Sequence, residues 1–346
     1  MLNPARLVYS WKVRIASLLL SLFLVSGALG QSPRWAMQQS RTQASLRGVS
    51  AVDQRIVWAS GSGGTWLRTT DGGVNWQTST VSGAEDLDFR GIRAFSASRA
   101  ILMSAGPGAK SRLFETTDAG AHWTLLFTNP DPGGFWDAIA FWDARRGILA
   151  GDAVDGQIAV FTTVDGGKTW QRRKTPPALQ GEGAFAASNT SLTLRGKAEA
   201  WFGSSGARVF HSLDSGKTWT VSSTPVRRTS TSSGIFSVAF SNAQNGMVVG
   251  GDYSKDSEPR QNIAVTVDGG RNWSAPVAGP AGFRSAVLWL ADIKAWLATG
   301  TSGSDLSSGA AWKMFDPGAF NALSGKSAKA TWAVGPKGRV ARLQLK

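Results

Sequence analysis

The sequence predicts an all-β fold, a seven-bladed propeller of four-stranded antiparallel blades whose last blade is closed by the N-terminal strand. Three observations carry this. A turn-like string returns along the chain, as TTDGGVNW (69–76), TTDAGAHW (116–123), TVDGGKTW (163–170), SLDSGKTW (212–219) and TVDGGRNW (266–273), with a worn copy DLSSGAAW (305–312). Its aspartate slot falls at Asp71, Asp118, Asp165, Asp214, Asp268 and, in the worn copy, Ser307. Spacings of roughly 40 to 50 residues in β-rich sequence are those of propeller blades. The second observation is a tryptophan that recurs at one position of the second strand in four periods, at Trp58, Trp201, Trp296 and Trp332. The third is a remainder after Trp312 with three strands and no fourth.

Each period reads as four short strands. In the third, FWDAIAFW (135–142) is the first strand, RGILAG (146–151) the second, QIAVFTT (157–163) the third and KTWQRR (168–173) the fourth, with the aspartate turn between the last two. The runs are rich in Val, Ile, Phe, Thr and Trp and are bounded by Gly, Asp and Ser, as strands are. The missing strand of the last blade is supplied by RWAMQQSRT (34–42), which precedes the first full blade. Pairing it with the C-terminal three strands closes the ring and removes the exposed edges of an open sheet.

The repeated string is a structural device. Its aspartate accepts backbone N–H groups across the turn, and its glycine tolerates positive φ. Its tryptophan, at Trp76, Trp123, Trp170, Trp219, Trp273 and Trp312, packs beneath. One carboxylate per turn is too few for a calcium loop, so no metal is expected there. His122 lies in an aspartate turn and His211 on a third strand, so both read as structural.

Residues 1–14 carry Arg6, Lys12 and Arg14 and no acid; Ile15 to Val25 is apolar, and Ala28-Leu29-Gly30 offers small residues. That order reads as a signal peptide over 1–30, cleaved near Gly30, leaving one propeller domain over 31–346 in the periplasm or outside the cell and no membrane span after cleavage. There is no cysteine, which excludes disulfides and lipid attachment at a cysteine. The chain has 37 Lys and Arg against 23 Asp and Glu. Outside the cytoplasm such a balance points to an envelope protein or an acidic glycan or lipid surface, and not to nucleic acid. A monomer is expected.

The string S/T-x-D-x-G-x-x-W is the Asp-box, or bacterial neuraminidase repeat. The fuller blade text LRGVSAVDQRIVWASGSGGTWLRTTDGGVNW (46–76) resembles the photosystem II stability/assembly factor family and its non-photosynthetic bacterial relatives, a likeness that runs over residues 34 to 346. GEGAFAAS (181–188) and GFRSAV (282–287) are similar to strings of a secreted bacterial subgroup. The resemblance implies a propeller that binds or assembles a protein complex. The Asp-box itself is shared by sialidases, xyloglucanases and sortilins, so it implies a fold and not an activity.

Propeller sites occupy the face opposite the aspartate turns. Laying the blades over one another puts Arg47, Arg90, Asp137, Glu182, Ile235, Arg284 and Asn321 in one slot at the start of the first strands. Loops between second and third strands add Asp152 and Asp155 from GDAVDG, Asp252, Tyr253, Asp256 and Arg260 from GGDYSKDSEPRQ, and Asp305 from GTSGSD. Arg47, Arg90, Asp152, Glu182, Asp252, Tyr253, Arg284 and Asp305 are therefore the candidate ligand-binding residues. If the face is catalytic, Asp137, Glu182, Asp252 and Tyr253 are the candidates, in a glycoside hydrolase of the two-carboxylate or sialidase kind. Against a sialidase stand the missing Phe-Arg-Ile-Pro string and the seventh blade. No cofactor is expected: GSGG (61–64) precedes a strand and not a helix, so it is no dinucleotide loop.

Overall fold

A computed structural model describes residues 32–309 and 311–345, so the expected signal peptide lies outside the described residues. The chain forms seven antiparallel sheets in sequence, spanning 46–80, 89–128, 136–173, 192–223, 233–266 and 286–316, with the seventh built from 322–345 and the N-terminal strand. These are blades 1 to 7. Each begins at the axis and runs strand by strand outward, and the first strands touch their neighbours all the way round the ring. Six blades have four strands; in blade 5 the outer strand is reduced to a single bridge between Val265 and Ser274.

The closure is as the remainder predicts. Pro33–Gln38 pairs antiparallel with Val340–Leu345, from Pro33 opposite Leu345 to Gln38 opposite Val340. Trp35 is buried, and its indole N–H donates to Ser304 Oγ of blade 6 at 2.9 Å, so the closing strand also ties the seventh blade to the sixth.

The Asp-box turns show why the repeat is written as it is. Asp165 Oδ1 accepts from the Lys168 and Thr169 amides, both at 3.0 Å, and from Thr163 Oγ1 at 2.8 Å. Its Oδ2 accepts from Thr169 Oγ1 at 2.6 Å, and Thr163 Oγ1 in turn accepts from the Gly167 amide at 3.0 Å. The same contacts recur around Asp71, Asp118, Asp214 and Asp268. So many donors to the charged form hold these carboxyls low, to about 2 at Asp71, Asp118, Asp165 and Asp268. In the worn copy Ser307 Oγ accepts from the Gly309 amide at 3.2 Å.

The second glycine of the turn has a packing reason. A Cβ on Gly73 would meet the Trp332 ring at 2.8 Å, and one on Gly120 the Trp66 ring at 2.3 Å. The turns of blades 1, 2 and 5 therefore press on a tryptophan of the blade before, Gly270 on Trp201 in the last case, while Gly167 and Gly216 face Leu126 and Ile148. Trp58, Trp201 and Trp332 are fully buried, and Trp76 is buried against Trp332 in an edge-on contact. At the axis, hydroxyls and an amide stitch first strands together: the Ala51 amide donates to Ser324 Oγ (2.9 Å), Ala94 to Ser50 Oγ (3.0 Å), Ile139 to Asn189 Oδ1 (2.8 Å) and Val287 to Ser237 Oγ (3.0 Å).

Candidate functional site

On the face away from the aspartate turns, the axial channel opens into a cavity of about 480 Å³. Its floor is made by a repeated irregularity. The pairing of first and second strands skips one residue between Leu46 and Gly48, between Phe89 and Gly91, between Trp136 and Ala138, and between Ile235 and Ser237. The four residues skipped are Arg47, Arg90, Asp137 and Phe236, and all four line the cavity. A β-bulge turns an extra side chain off the ladder, here into the channel mouth.

This bulge corrects the slot read from sequence. In blade 5 the cavity residue is Phe236 and not Ile235, which is buried inside the blade. In blade 6 it is Ser285 and not Arg284. Blade 4 contributes Ala184 to Ala187 from the loop before its first strand, and Glu182 is turned away. Arg47, Arg90, Asp137 and Asn321 do line the cavity, as do Asp152 and Tyr253 from the loops.

The residues turned away are occupied with one another. Glu182 is buried; it accepts from Arg208 Nε at 2.9 Å, from Ser204 Oγ at 2.6 Å and from the Leu179 amide at 2.8 Å, and pairs again with Arg208 Nη2. Although burial pushes the other way, these donors hold its carboxyl below the usual range. Arg284 is fully buried, and its Nε donates to Asp305 Oδ2 at 2.6 Å while its Nη1 donates to Ser302 Oγ at 2.9 Å. Asp252 accepts from Ser232 Oγ and Ser254 Oγ, each at 2.6 Å, and from Ser230 Oγ at 3.0 Å. The serines outweigh burial and hold it at about 2. Its task is to cap the short 3₁₀ turn Tyr253–Lys255 that presents Tyr253.

The cavity has two unlike walls. One is aromatic: Phe185 stacks on Phe236 with centroids 3.7 Å apart, Phe283 meets Phe236 edge-on at 4.6 Å, and half-exposed Tyr253 stands edge-on to all three. The other wall is polar. Arg90 donates to Asp88 at 2.8 Å. Arg47 has no hydrogen-bonding partner among the described residues; burial, and then the charge of Arg90, depress its pKa against the pull of Asp88. Asp137 and Asp152 touch carboxyl to carboxyl, and burial followed by the Asp152 charge raises Asp137 well above the usual range. Asp137 Oδ2 finds no donor among the described residues, while Asp152 Oδ1 accepts from the Ala184 amide at 2.9 Å. Burial raises Asp152 too, opposed by the Ala184 amide, so Asp137 is the more readily protonated of the pair.

Among the described residues no three His, Cys, Asp or Glu side chains lie together as a metal site, and no helix is long and apolar enough to cross a membrane. Sequence reasoning missed the aromatic wall; GEGAFAAS and GFRSAV contain Phe185 and Phe283, but nothing in the repeat marks them as meeting.

Residues 133–287 match the family described as Photosynthesis system II assembly factor YCF48. Among solved structures, YCF48 bound to a D1 peptide is 18% identical, with a TM-score of 0.63 over 90% of this chain and 96% of that one. YCF48 from Cyanidioschyzon merolae is 15% identical, with a TM-score of 0.59 over 90% and 98%. An ancestral GH74 enzyme is 14% identical, with a TM-score of 0.64; 89% of this chain is covered but only 46% of that one. No curated protein sequence matches. The chain is an Asp-box propeller resembling the YCF48 assembly factors.

Proposed function

We propose that this chain is a binding and assembly propeller of the periplasm or cell exterior, which holds a segment of an envelope protein in the cavity of its top face. The observation that carries the reading is the pairing of a half-buried Arg47, with no hydrogen-bonding partner among the described residues, with the aromatic wall of Phe185, Phe236, Phe283 and Tyr253. A half-buried guanidinium without a partner has given up part of its hydration, so an acidic group entering the cavity is favoured, and the rings receive a large apolar neighbour on the same segment. The match to an assembly-factor family, and a similar fold seen with a peptide, support a protein ligand over an acidic glycan or lipid.

The hydrolase reading is weaker on geometry. A glycosidase needs two carboxyl groups about 5 to 10 Å apart across its substrate. Asp137 and Asp152 touch, and Glu182 is locked to Arg208 behind the wall. Capture from an envelope extract by wild type, Arg47→Ala and Tyr253→Ala tests the proposal. Both variants should keep the fold and lose the partner that wild type retains. Equal capture by all three overturns it.

A further inference from the structure

We propose that the opposite mouth of the axial channel, on the aspartate-turn side, is a phosphate-binding site centred on Arg93. The two mouths lie at opposite ends of the same first strand: Arg47 lines the top cavity, and Val49, Ser50 and Ala51 line a recess of about 350 Å³ at the other end. This site is independent of the top-face reading.

The recess has a one-sided charge. Arg93 and Lys326 line it, and no Asp or Glu does. Arg93 makes no hydrogen bond and no ion pair among the described residues, and its Nε is buried without an acceptor. The one favourable contact of its guanidinium is the face of Phe95, 5.4 Å away. Burial alone lowers its pKa, with no acid opposing. Three other enclosed arginines are answered by a carboxylate, Arg284 by Asp305, Arg208 by Glu182 and Arg99 by Glu115. Arg93 is answered by no carboxylate among the described residues.

The hydroxyls around it are oriented for the same visitor. Ser50 Oγ accepts the Ala94 amide at 3.0 Å and Ser324 Oγ accepts the Ala51 amide at 2.9 Å. Each hydroxyl thereby accepts one bond while its proton has no acceptor among the described residues, so both are free to donate into the recess. Lys326 stands exposed at the rim, 3.3 Å from the Val52 carbonyl, with the exposed Asp53 carboxylate near it outside the recess. Blades 7, 1 and 2 therefore converge a planar guanidinium fork, two hydroxyls and an ammonium on one space. A forked cation with hydroxyl donors matches a phosphate, which accepts in several directions at once. The phosphate is either free or displayed by a lipid headgroup at the surface this face meets.

The test uses inorganic phosphate, with chloride at matched ionic strength as control. Phosphate should raise the melting temperature of wild type, and titration calorimetry should show binding. Arg93→Gln should weaken binding by roughly tenfold or more, since it removes the charged fork. Lys326→Gln, at an exposed position, should weaken it less. Without phosphate Arg93→Gln should melt no lower than wild type, because it removes an uncompensated cation. Co-sedimentation with phosphatidylglycerol and phosphatidylcholine vesicles separates the sources: retention on the former that free phosphate displaces assigns the headgroup, and phosphate binding without retention assigns the soluble ion. The proposal falls if wild type shows no phosphate response, or if Arg93→Gln responds as wild type does.

Discussion

Asp137 and Asp152 meet carboxyl to carboxyl on the polar wall of the top cavity, and burial raises both, Asp137 the further. A carboxyl whose folded-state pKa is raised binds its proton more tightly folded than unfolded. Its stabilising contribution is complete at low pH and fades as pH climbs from the ordinary carboxylate range through the raised value. Asp137→Asn keeps the shape and donates permanently to Asp152. It should therefore stabilise the protein near neutrality by about 1 to 3 kcal/mol, the range for a buried polar group left short of partners. Melting curves taken from pH 4 to 8 check this: wild type should lose stability across that window more steeply than the variant.

The Asp-box turns predict the opposite slope. Their carboxyls are depressed, to about 2 at Asp165, so their contribution is present above the ordinary range and is lost as pH falls toward 2. Asp165→Ala should lower stability by roughly 1 to 3 kcal/mol at neutral pH, through the unpaired Lys168 and Thr169 amides. A chelator should leave the melting temperature of wild type unchanged. Calorimetry with and without the chelator reads both outcomes.

Glu182→Gln is expected to act on the fold. It leaves Arg208 buried beside a neutral amide, and breaking a buried pair from one side costs about 3 to 5 kcal/mol. Denaturant titration should show that loss, while Glu182→Gln that still folds should capture the same partner as wild type. A binding defect with unchanged stability would reverse this assignment.

The N-terminal strand is tested by Trp35→Ala. The ring loses a buried indole between blades 6 and 7, for which about 3 to 5 kcal/mol is the usual cost. Removing residues 32–43 entirely should expose the edge of Val340–Leu345 and make the protein self-associate. Light scattering on the two variants distinguishes a weakened seam from an open one.

The ring of seven blades and its closure were legible because they rest on a repeat, and a repeat states its own period. The turn chemistry was legible for the same reason, since Asp165, Gly167 and Trp170 return as a group. The top face was less so. Which residue enters the channel depends on a one-residue bulge after Leu46, Phe89, Trp136 and Ile235, and a bulge shifts every count beyond it. In blade 5 that shift exchanges Ile235 for Phe236; in blade 6, where the ladder is regular, Arg284 is drawn off to Asp305 and Ser302 and leaves Ser285 at the cavity. A charged residue near the mouth is also not thereby free: Arg284 and Asp305 lie far apart in sequence and cancel in space. Arg93 was passed over because its neighbours come from three blades, and nothing local shows that none of them is acidic.

The seam of the ring has a consequence for how the molecule is made. It sets Arg34 beside Gln344, 310 positions apart. Blades 1 to 6 are each written in one continuous stretch and are able to form in the order in which the ribosome or a secretion channel delivers them. Blade 7 is not, because its outer strand emerges first and its other three last. Until residues 340–345 arrive, Pro33–Gln38 is an unpaired strand on a nearly finished ring, able to pair with the same segment of another nascent copy. Such long-range closure is slow, and the waiting strand is the place where a chaperone has most to protect.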